Sequence, residues 1–273
     1  MNRNLFCLLF FLFPLSLSAQ NYQEFSEKAI ESIEKDSLSQ AETLLKAALA
    51  LEPRNPHNAL LFSNLGLVQR RLGRYKDATE SYTYALNFAP LAVPILLNRA
   101  AIYLEQGLQD KAYVDYCQVT DVDKKNTEAL LMRAYIYTLR RDYKAARIDY
   151  NRLLELDPQS YSGRLGLATL EQKEGKFRES LDLLNKLIAE RVDDATLYIA
   201  RADVEREMQH DDLALIDLEE AIRLSPSSAD AYLLRGDIYL AQKKKVLARQ
   251  DYEKAISLGV PPSELHEQLK QCK

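Results

Sequence analysis

Tryptophan is absent from the chain, and residues that interrupt helices are scarce, with 8 glycines and 9 prolines among 273 residues. Glycine and proline are the residues that most destabilise a helix interior, so their scarcity favours an all-α fold. An excess of positive charge is also absent, because the net charge is -4 at pH 7. Contacts with nucleic acid phosphates or anionic lipids need such an excess. We therefore expect no nucleic acid partner, and membrane contact only through a partner complex.

The residue patterns of common active sites are missing as well. The three histidines, His57, His210 and His266, are far apart in sequence, and no H-E-x-x-H spacing occurs. There is no glycine-rich phosphate loop and no nucleophile elbow. We expect a protein that is not an enzyme and that needs no metal and no cofactor.

The first 19 residues have the pattern of a secretory signal peptide. Arg3 provides a positive start, an apolar run extends from Leu5 to Leu15, and small residues lead to Ala19. The run is shorter than the roughly 20 apolar residues that cross a bilayer, so a retained anchor is the weaker alternative. Cleavage after Ala19 would give an exported protein, periplasmic or secreted. Cys117 and Cys272 would then be the remaining cysteines, too few for a disulfide-stapled fold.

A period of 34 residues organises the rest of the chain. Small residues recur at this spacing, and a second small residue follows each of them after 12 positions. An earlier pair, Ala29 and Ala41, keeps the 12-residue separation but is displaced by 37 residues. The register consists of Gly66, Ala100, Ala134, Ala168, Ala202 and Gly236, followed by Ala78, Ala112, Ala146, Ser180, Ala214 and Ala248. Such a period predicts stacked repeats.

Each repeat has the pattern of two amphipathic helices separated by a short turn. Apolar residues recur at three- and four-residue spacing, as in the segment from Leu96 to Tyr103. Gly73, Gly107 and Gly175 fall in the turn within their repeats, where a left-handed backbone ends a helix. The predicted repeats are residues 22-55, 59-92, 93-126, 127-160, 161-194, 195-228 and 229-262, with a short capping helix over 263-273.

The repeat resembles the tetratricopeptide repeat (TPR) family. Unit seven carries the family pattern best, and unit two carries much of it. The matching residues are Tyr232, Gly236, Tyr239, Ala248, Tyr252 and Ala255 in unit seven and Leu65, Gly66, Gly73, Ala78, Ala85 and Pro90 in unit two. The resemblance implies a right-handed superhelical α-solenoid of seven 34-residue helix-turn-helix repeats. It covers residues 22 to 262.

An arginine precedes the first small residue in four repeats, and an aspartate lies 16 residues after each arginine. Where the arginine is missing, the aspartate is missing too. The pairs are Arg99 with Asp115, Arg133 with Asp149, Arg201 with Asp217 and Arg235 with Asp251. We expect a bidentate ion pair between the two helices of each such repeat. Shared descent of the repeats is the alternative explanation.

The resemblance also implies a concave groove lined by the first helix of each repeat, in which a protein or peptide is bound. The implied groove residues are Leu97, Ala101, Leu131, Tyr135, Leu165, Thr169, Ile199, Asp203, Leu233 and Asp237. The alternative is that the leucines and the isoleucine are core between repeats. Asn64 and Asn98 stand where some family members bind a carboxylate, but Leu67 and Met132 replace the basic residues of that clamp.

Two functions remain open on the sequence. The first is an exported scaffold or adaptor that mediates protein-protein interaction through its groove. The second is a non-catalytic subunit of a cell-envelope assembly or transport complex. In both cases the binding partner is a protein or peptide.

Overall fold

The computed structural model describes the backbone of residues 13–273 and the side chains from Gln20 onward. Residues 1–12 and the side chains of residues 13–19 lie outside this description. The predicted signal peptide, residues 1–19, falls within this range. In residues 13–273 every regular element is a helix, which confirms the all-α prediction. None of the helices in this range is both long enough and apolar enough to span a bilayer.

Fourteen long helices follow one another as helix-turn-helix pairs, and a short fifteenth closes the chain. Their bounds are α1 Phe13–Glu34, α2 Leu38–Leu51, α3 Asn58–Arg71, α4 Tyr75–Phe88, α5 Val93–Glu105, α6 Gln109–Val122, α7 Thr127–Leu139, α8 Tyr143–Leu156, α9 Tyr161–Lys173, α10 Phe177–Glu190, α11 Ala195–Glu207, α12 Asp211–Leu224, α13 Ala229–Ala241, α14 Lys245–Ser257 and α15 His266–Gln271. Each of the seven predicted repeats thus contains a first and a second helix.

The chain divides into two compact units, and the boundary between them in the sequence falls within α7. The N-terminal unit ends at Ile136 and the C-terminal unit begins at Tyr137. In the N-terminal unit α1 packs on α2, α3 on α4 and α5 on α6. In the C-terminal unit α9 packs on α10, α11 on α12 and α13 on α14. Each unit is described by itself below.

The turn between the two helices of a repeat uses one left-handed residue. Glycine fills this position in three repeats, as predicted from Gly73, Gly107 and Gly175, which have φ of 74°, 71° and 76°. The other four repeats adopt the same conformation without glycine, at Asp36, Arg141, Gln209 and Lys243. A side chain at a left-handed position costs roughly 1 to 2 kcal/mol. The turn geometry is therefore imposed by the packing of the repeat and does not depend on glycine.

The small residue of the first helix makes room for a tyrosine ring of the second helix. A Cβ atom on Gly66 would lie 2.9 Å from Cζ of Tyr82, and a Cβ atom on Gly236 would lie 2.9 Å from Cε1 of Tyr252. Both tyrosines are fully buried. In repeats two and seven the small residue is therefore explained by an aromatic ring packed on the first helix, and in repeats one, five and six a buried leucine stands at the position of the tyrosine.

The predicted ion pair is present in three repeats. Nε of Arg99 donates to Oδ2 of Asp115 over 2.8 Å, and the terminal NH2 group donates to Oδ1 over 2.7 Å. The other two pairs are also bidentate, Arg201 with Asp217 and Arg235 with Asp251. The hydrogen bond to Asp251 outweighs burial and raises the pKa of Arg235 above its usual range. Arg133 and Asp149 belong to different units, so this fourth pair stays a prediction.

Repeats two and five have neutral residues at the two positions of the pair. In repeat two the Ser81 hydroxyl, at the aspartate position, donates to Oε1 of Gln69 over 2.7 Å, and both residues are buried. In repeat five Leu167 and Leu183 take the two positions. Loss of both charges therefore leaves no buried charge without a partner.

The C-terminal segment covers the last repeat. A 3-10 turn, Pro262–Leu265, leads into α15, and Leu265 and Cys272 are buried against Tyr252 and its neighbours. Leu265 is buried and Leu269 is partly buried against the same cluster. Ser263 lies within the 3-10 turn and does not cap α15. Burial raises the pKa of the Cys272 thiol, so this thiol is part of the core.

Asp115→Ala should lower the free energy of unfolding by about 3 to 5 kcal/mol, because it leaves the largely buried Arg99 without its counter-ion. Asp121→Ala, at an exposed position of the same helix, is the control and should change little. Urea unfolding followed by circular dichroism measures both. Equal midpoints for the two variants would contradict a stabilising role for the ion pair.

Tyr82→Phe and Tyr252→Phe form a second test, because the two rings are equivalent but their hydroxyls are not. The Tyr252 hydroxyl donates to Oδ1 of Asp237 over 2.8 Å, whereas the Tyr82 hydroxyl is buried without a partner. We expect Tyr252→Phe to cost about 1.5 to 3 kcal/mol and Tyr82→Phe to be neutral or stabilising. Thermal melts compare them directly, and a larger loss for Tyr82→Phe would show that its hydroxyl has a partner in solution.

Candidate functional site

The predicted groove residues of the N-terminal unit lie on α5 and α7. Leu97 packs partly against the core cluster around Leu96, and it keeps part of its surface in solvent. Ala101 and Leu131 are likewise partly exposed, and Tyr135 is exposed. Of these positions, Leu97 rests on the core with one side, and all four keep part of their surface in solvent.

Two asparagine amides lie on the first helices of the same unit. Asn64 on α3 and Asn98 on α5 are partly exposed, and neither amide makes a hydrogen bond with any of the described residues. Helices α3 and α5 are in contact, and an ion pair between Arg70 and Glu105 connects them. A backbone amide or carbonyl of a ligand could therefore bind to Asn64 or Asn98 without breaking an internal bond.

The predicted groove residues of the C-terminal unit lie on α9, α11 and α13. Leu165, Ile199 and Leu233 each pack partly against a core cluster and remain partly exposed. Thr169 and Asp237 are exposed, and Asp203 is partly exposed. This set is more polar than the set of the N-terminal unit.

Asp203 is held by neighbours within the unit. Nε2 of Gln172 donates to Oδ2 of Asp203 over 2.8 Å, and Arg206 donates to Oδ1 over 2.8 Å. The same Gln172 amide also donates to Oε1 of Glu207 over 2.9 Å. Burial acts to raise the pKa of Asp203, but the bonds from Arg206 and Gln172 outweigh it and lower this pKa. Asp203 is ionised, and both of its oxygens are already occupied.

Asp237 is the more available carboxylate. Its Oδ1 accepts the Tyr252 hydroxyl, while its Oδ2 accepts no hydrogen bond from any side chain or backbone group that the structure describes. Burial and the bond to Asp237 both raise the pKa of Tyr252, so the hydroxyl remains a donor at any physiological pH. The contact fixes the carboxylate and leaves one oxygen directed to solvent.

The groove positions stay a prediction from the sequence, and the residues that contact Asp203 and Asp237 were not predicted. Gln172 contacts Asp203 from the preceding repeat, and Arg206 contacts it from about one turn further along α11. Neither residue lies at a position that the comparison across repeats used. Tyr252 was recognised as a repeat residue, and its bond to Asp237 is new. The residues from 13 to 273 contain no group of three His, Cys, Asp or Glu side chains that could hold a metal ion.

Comparison with known proteins agrees with the repeat architecture. The sequence model described as "Tetratricopeptide repeat" matches residues 29–92, 63–120 and 199–259, and a second model of the same description matches 127–160. A solved tetratricopeptide repeat protein from Parabacteroides merdae is 39% identical, with 93% of this chain and 99% of that chain covered and a TM-score of 0.85.

Two curated relatives are more distant and much longer. Human Protein O-mannosyl-transferase TMTC1 is 27% identical over 206 residues, 74% of this chain and 23% of the relative. The Hsp70-Hsp90 organizing protein of Triticum aestivum is 22% identical over 236 residues, 72% of this chain and 40% of the relative. The chain therefore spans less than half the length of either.

Proteins built from this repeat mediate protein-protein interactions by binding protein or peptide partners, and the repeat scaffold is typically non-catalytic. The long helices α1 to α14 follow one another in pairs, and the repeat model matches more than half of the sequence. The chain belongs to the tetratricopeptide repeat family.

Proposed function

We propose that this protein is an exported scaffold that holds a segment of a partner protein against the first helices of its repeats. The observation that carries the proposal is the pairing, on these helices, of half-buried apolar residues with polar groups that keep at least one hydrogen-bonding atom without an internal hydrogen bond. Leu97 and Leu233 exemplify the apolar residues, and Asn98 and Asp237 exemplify the polar groups. A surface of this kind can desolvate a ligand side chain while binding its backbone or charge.

The N-terminal unit favours an uncharged ligand segment. Leu97, Ala101, Leu131 and Tyr135 provide apolar and aromatic contact area, and Asn98 provides both a donor and an acceptor. An extended peptide has unpaired backbone groups at regular intervals, which amide side chains satisfy. We therefore assign to this unit the recognition of backbone and apolar side chains.

The C-terminal unit favours a basic residue in the ligand. Asp237 has one free carboxylate oxygen, and Leu233 lies one turn before it on α13. A lysine or arginine side chain can lay its aliphatic stem on an apolar residue and place its charge at a carboxylate. Asp203, with both oxygens occupied, contributes charge at a distance and keeps Arg206 in place.

Export follows from the leader sequence, and it directs the search for a partner to the cell envelope. An adaptor would capture short segments of soluble proteins there. A non-catalytic subunit of an envelope complex would instead copurify with that complex in a fixed ratio. The relative named Hsp70-Hsp90 organizing protein is consistent with a role in bringing proteins together, which we propose here for envelope proteins.

Asp237→Asn tests the binding face, since it removes the charge and keeps an acceptor for Tyr252. The protein is immobilised, exposed to an envelope extract, and the captured partner is then titrated against each variant. We expect about tenfold weaker binding for Asp237→Asn, or about 1.4 kcal/mol, with a reduced dependence on salt.

Asp182→Asn is the matched control, because Asp182 is an exposed aspartate on the second helix α10. It should bind as the unchanged protein does. Equal affinity of both variants and the unchanged protein would place the binding site on another face.

Export is tested by expressing the full chain in a bacterium with two membranes. We expect the protein in the periplasmic fraction or the medium, with an intact mass that corresponds to a start at Gln20. Replacing Leu8 and Leu9 by Asp should abolish this, because two charges interrupt the apolar run that signal recognition requires. A cytoplasmic protein that retains residues 1 to 19 would refute export.

A further inference from the structure

Repeat two has an aromatic cluster between its two helices, α3 and α4, that the proposed groove does not use. The ring of Phe62 on α3 stacks on Tyr84 at a centroid distance of 5.3 Å and on Phe88 at 6.0 Å, both on α4. Tyr84 is 55% exposed and Phe88 is 37% exposed. Leu91, three residues after Phe88, is 62% exposed. We call Tyr84, Phe88 and Leu91 the aromatic patch.

Repeats three to seven place polar side chains at the position of Tyr84, and repeat one has the small Ala47 there. The 34-residue register makes the comparison direct, since every repeat has its second helix at this point. The equivalents of Tyr84 are Gln118, Arg152, Lys186, Glu220 and Lys254. Four of these five are charged, so an exposed aromatic ring here is not a requirement of the fold.

The position of Leu91 shows the same contrast. It lies in the turn that follows the second helix, where an exposed side chain meets water. Its equivalents are the polar residues Arg54, Lys125, Gln159, Asp193 and Ser227, and Pro261 in repeat seven. Repeat two therefore departs from most other repeats at two separate solvent-exposed positions, and both departures are toward large apolar residues. Exposed apolar area that the fold does not need marks an interaction surface.

The charge of the segments that carry the patch limits which class of partner can bind there. Residues 55–69 and 81–98, which carry Phe62 and the aromatic patch, contain no Asp, Glu, Lys or Arg, although 28% of the chain is charged. Binding to an anionic lipid surface relies on clustered Lys and Arg. A charged peptide would likewise find no counter-ion on these segments. The surroundings are complementary to an uncharged apolar face.

Area distinguishes a partner segment from a second copy of the chain. The three side chains expose on the order of 300 Å², taking about 200 Å² for a whole aromatic side chain. A stable protein-protein interface needs about 800 Å² from each partner. Two copies meeting at this patch would fall well short. The area is suited to the apolar stripe of a single helix.

The spacing along α4 also fits a helix. Tyr84 and Phe88 are four residues apart on α4 and form one ridge on the helix surface, and Leu91 lies in the turn just beyond the end of this helix. Ridges at this spacing interdigitate with the side chains of a packed helix. We propose that the aromatic patch is a second docking surface, on which an amphipathic helix of a partner protein packs its apolar face.

A designed amphipathic helix of about five turns, with leucines on one face and serine and glutamine elsewhere, is the probe. It carries fluorescein, and a scrambled peptide of the same composition is its control. Fluorescence anisotropy with the purified protein should show at least tenfold tighter binding of the helix than of the scrambled peptide. Tyr84→Lys should weaken this binding at least tenfold.

Ile216→Lys makes the same chemical change at another exposed apolar position, on α12, and should leave binding intact. Tyr84→Lys should fold, because Lys186 and Lys254 occupy the equivalent positions. If its melting temperature falls, Leu91→Gln takes its place, since Gln159 is its equivalent in repeat four. Equal binding by the unchanged protein and the folded patch variant would overturn the proposal.

Two further measurements test whether a second copy of the chain or a lipid surface binds to the patch instead of a helix. Sedimentation velocity reports a second copy, and flotation with phosphatidylcholine vesicles reports a lipid surface. Dimerisation or vesicle binding that disappears in the patch variant, without binding of the designed helix, would also overturn the proposal. So would a failure of the unchanged protein to distinguish the helix from its scrambled control.

Discussion

In repeats two and seven, the contact between a buried tyrosine ring and the small residue beneath it determines how closely the two helices approach. Tyr82 lies on Gly66 and Tyr252 on Gly236, with no room for a β-carbon between them. The ring fills the space that the missing side chain leaves. The contact therefore also fixes which residues of the two helices lie opposite each other. A shift by one residue would bring a larger side chain under the ring. The positions of the other side chains on the first helix follow from this register.

The ion pairs depend on that register. Each arginine directly precedes the small residue of the first helix. Each aspartate directly precedes the tyrosine or leucine of the second helix that packs on this small residue, so the packing contact brings guanidinium and carboxylate to bidentate distance. Repeat two lacks the pair, keeps the helix contact and has the neutral groups Ser81 and Gln69. The apolar contact thus sets the geometry, and the polar groups adapt to it. The same holds for Asp237, whose orientation depends on the hydroxyl of the ring that lies on Gly236.

Much of this could be predicted because a repeat provides its own internal comparison. The 34-residue period, the helix pairs and the joint presence of Arg and Asp were visible in one sequence, and three ion pairs are confirmed. The contacts of Asp203 could not be predicted, because Gln172 and Arg206 act across a spacing that the period does not sample. Burial of Cys272 depends on how the last residues fold back, which has no counterpart in the other repeats. The aromatic cluster was also missed, since Phe62, Tyr84 and Phe88 are each ordinary helix residues until their stacking is known.

Four of the seven repeats place an ordinary side chain in the left-handed turn where glycine would be free of strain. A fold that tolerates Asp36, Arg141, Gln209 and Lys243 in this conformation has stability in reserve, since each costs roughly 1 to 2 kcal/mol. With this reserve, the fold can accept destabilising substitutions at neighbouring surface positions. The binding surface can therefore change one repeat at a time, while the buried contacts between the paired helices keep the architecture constant.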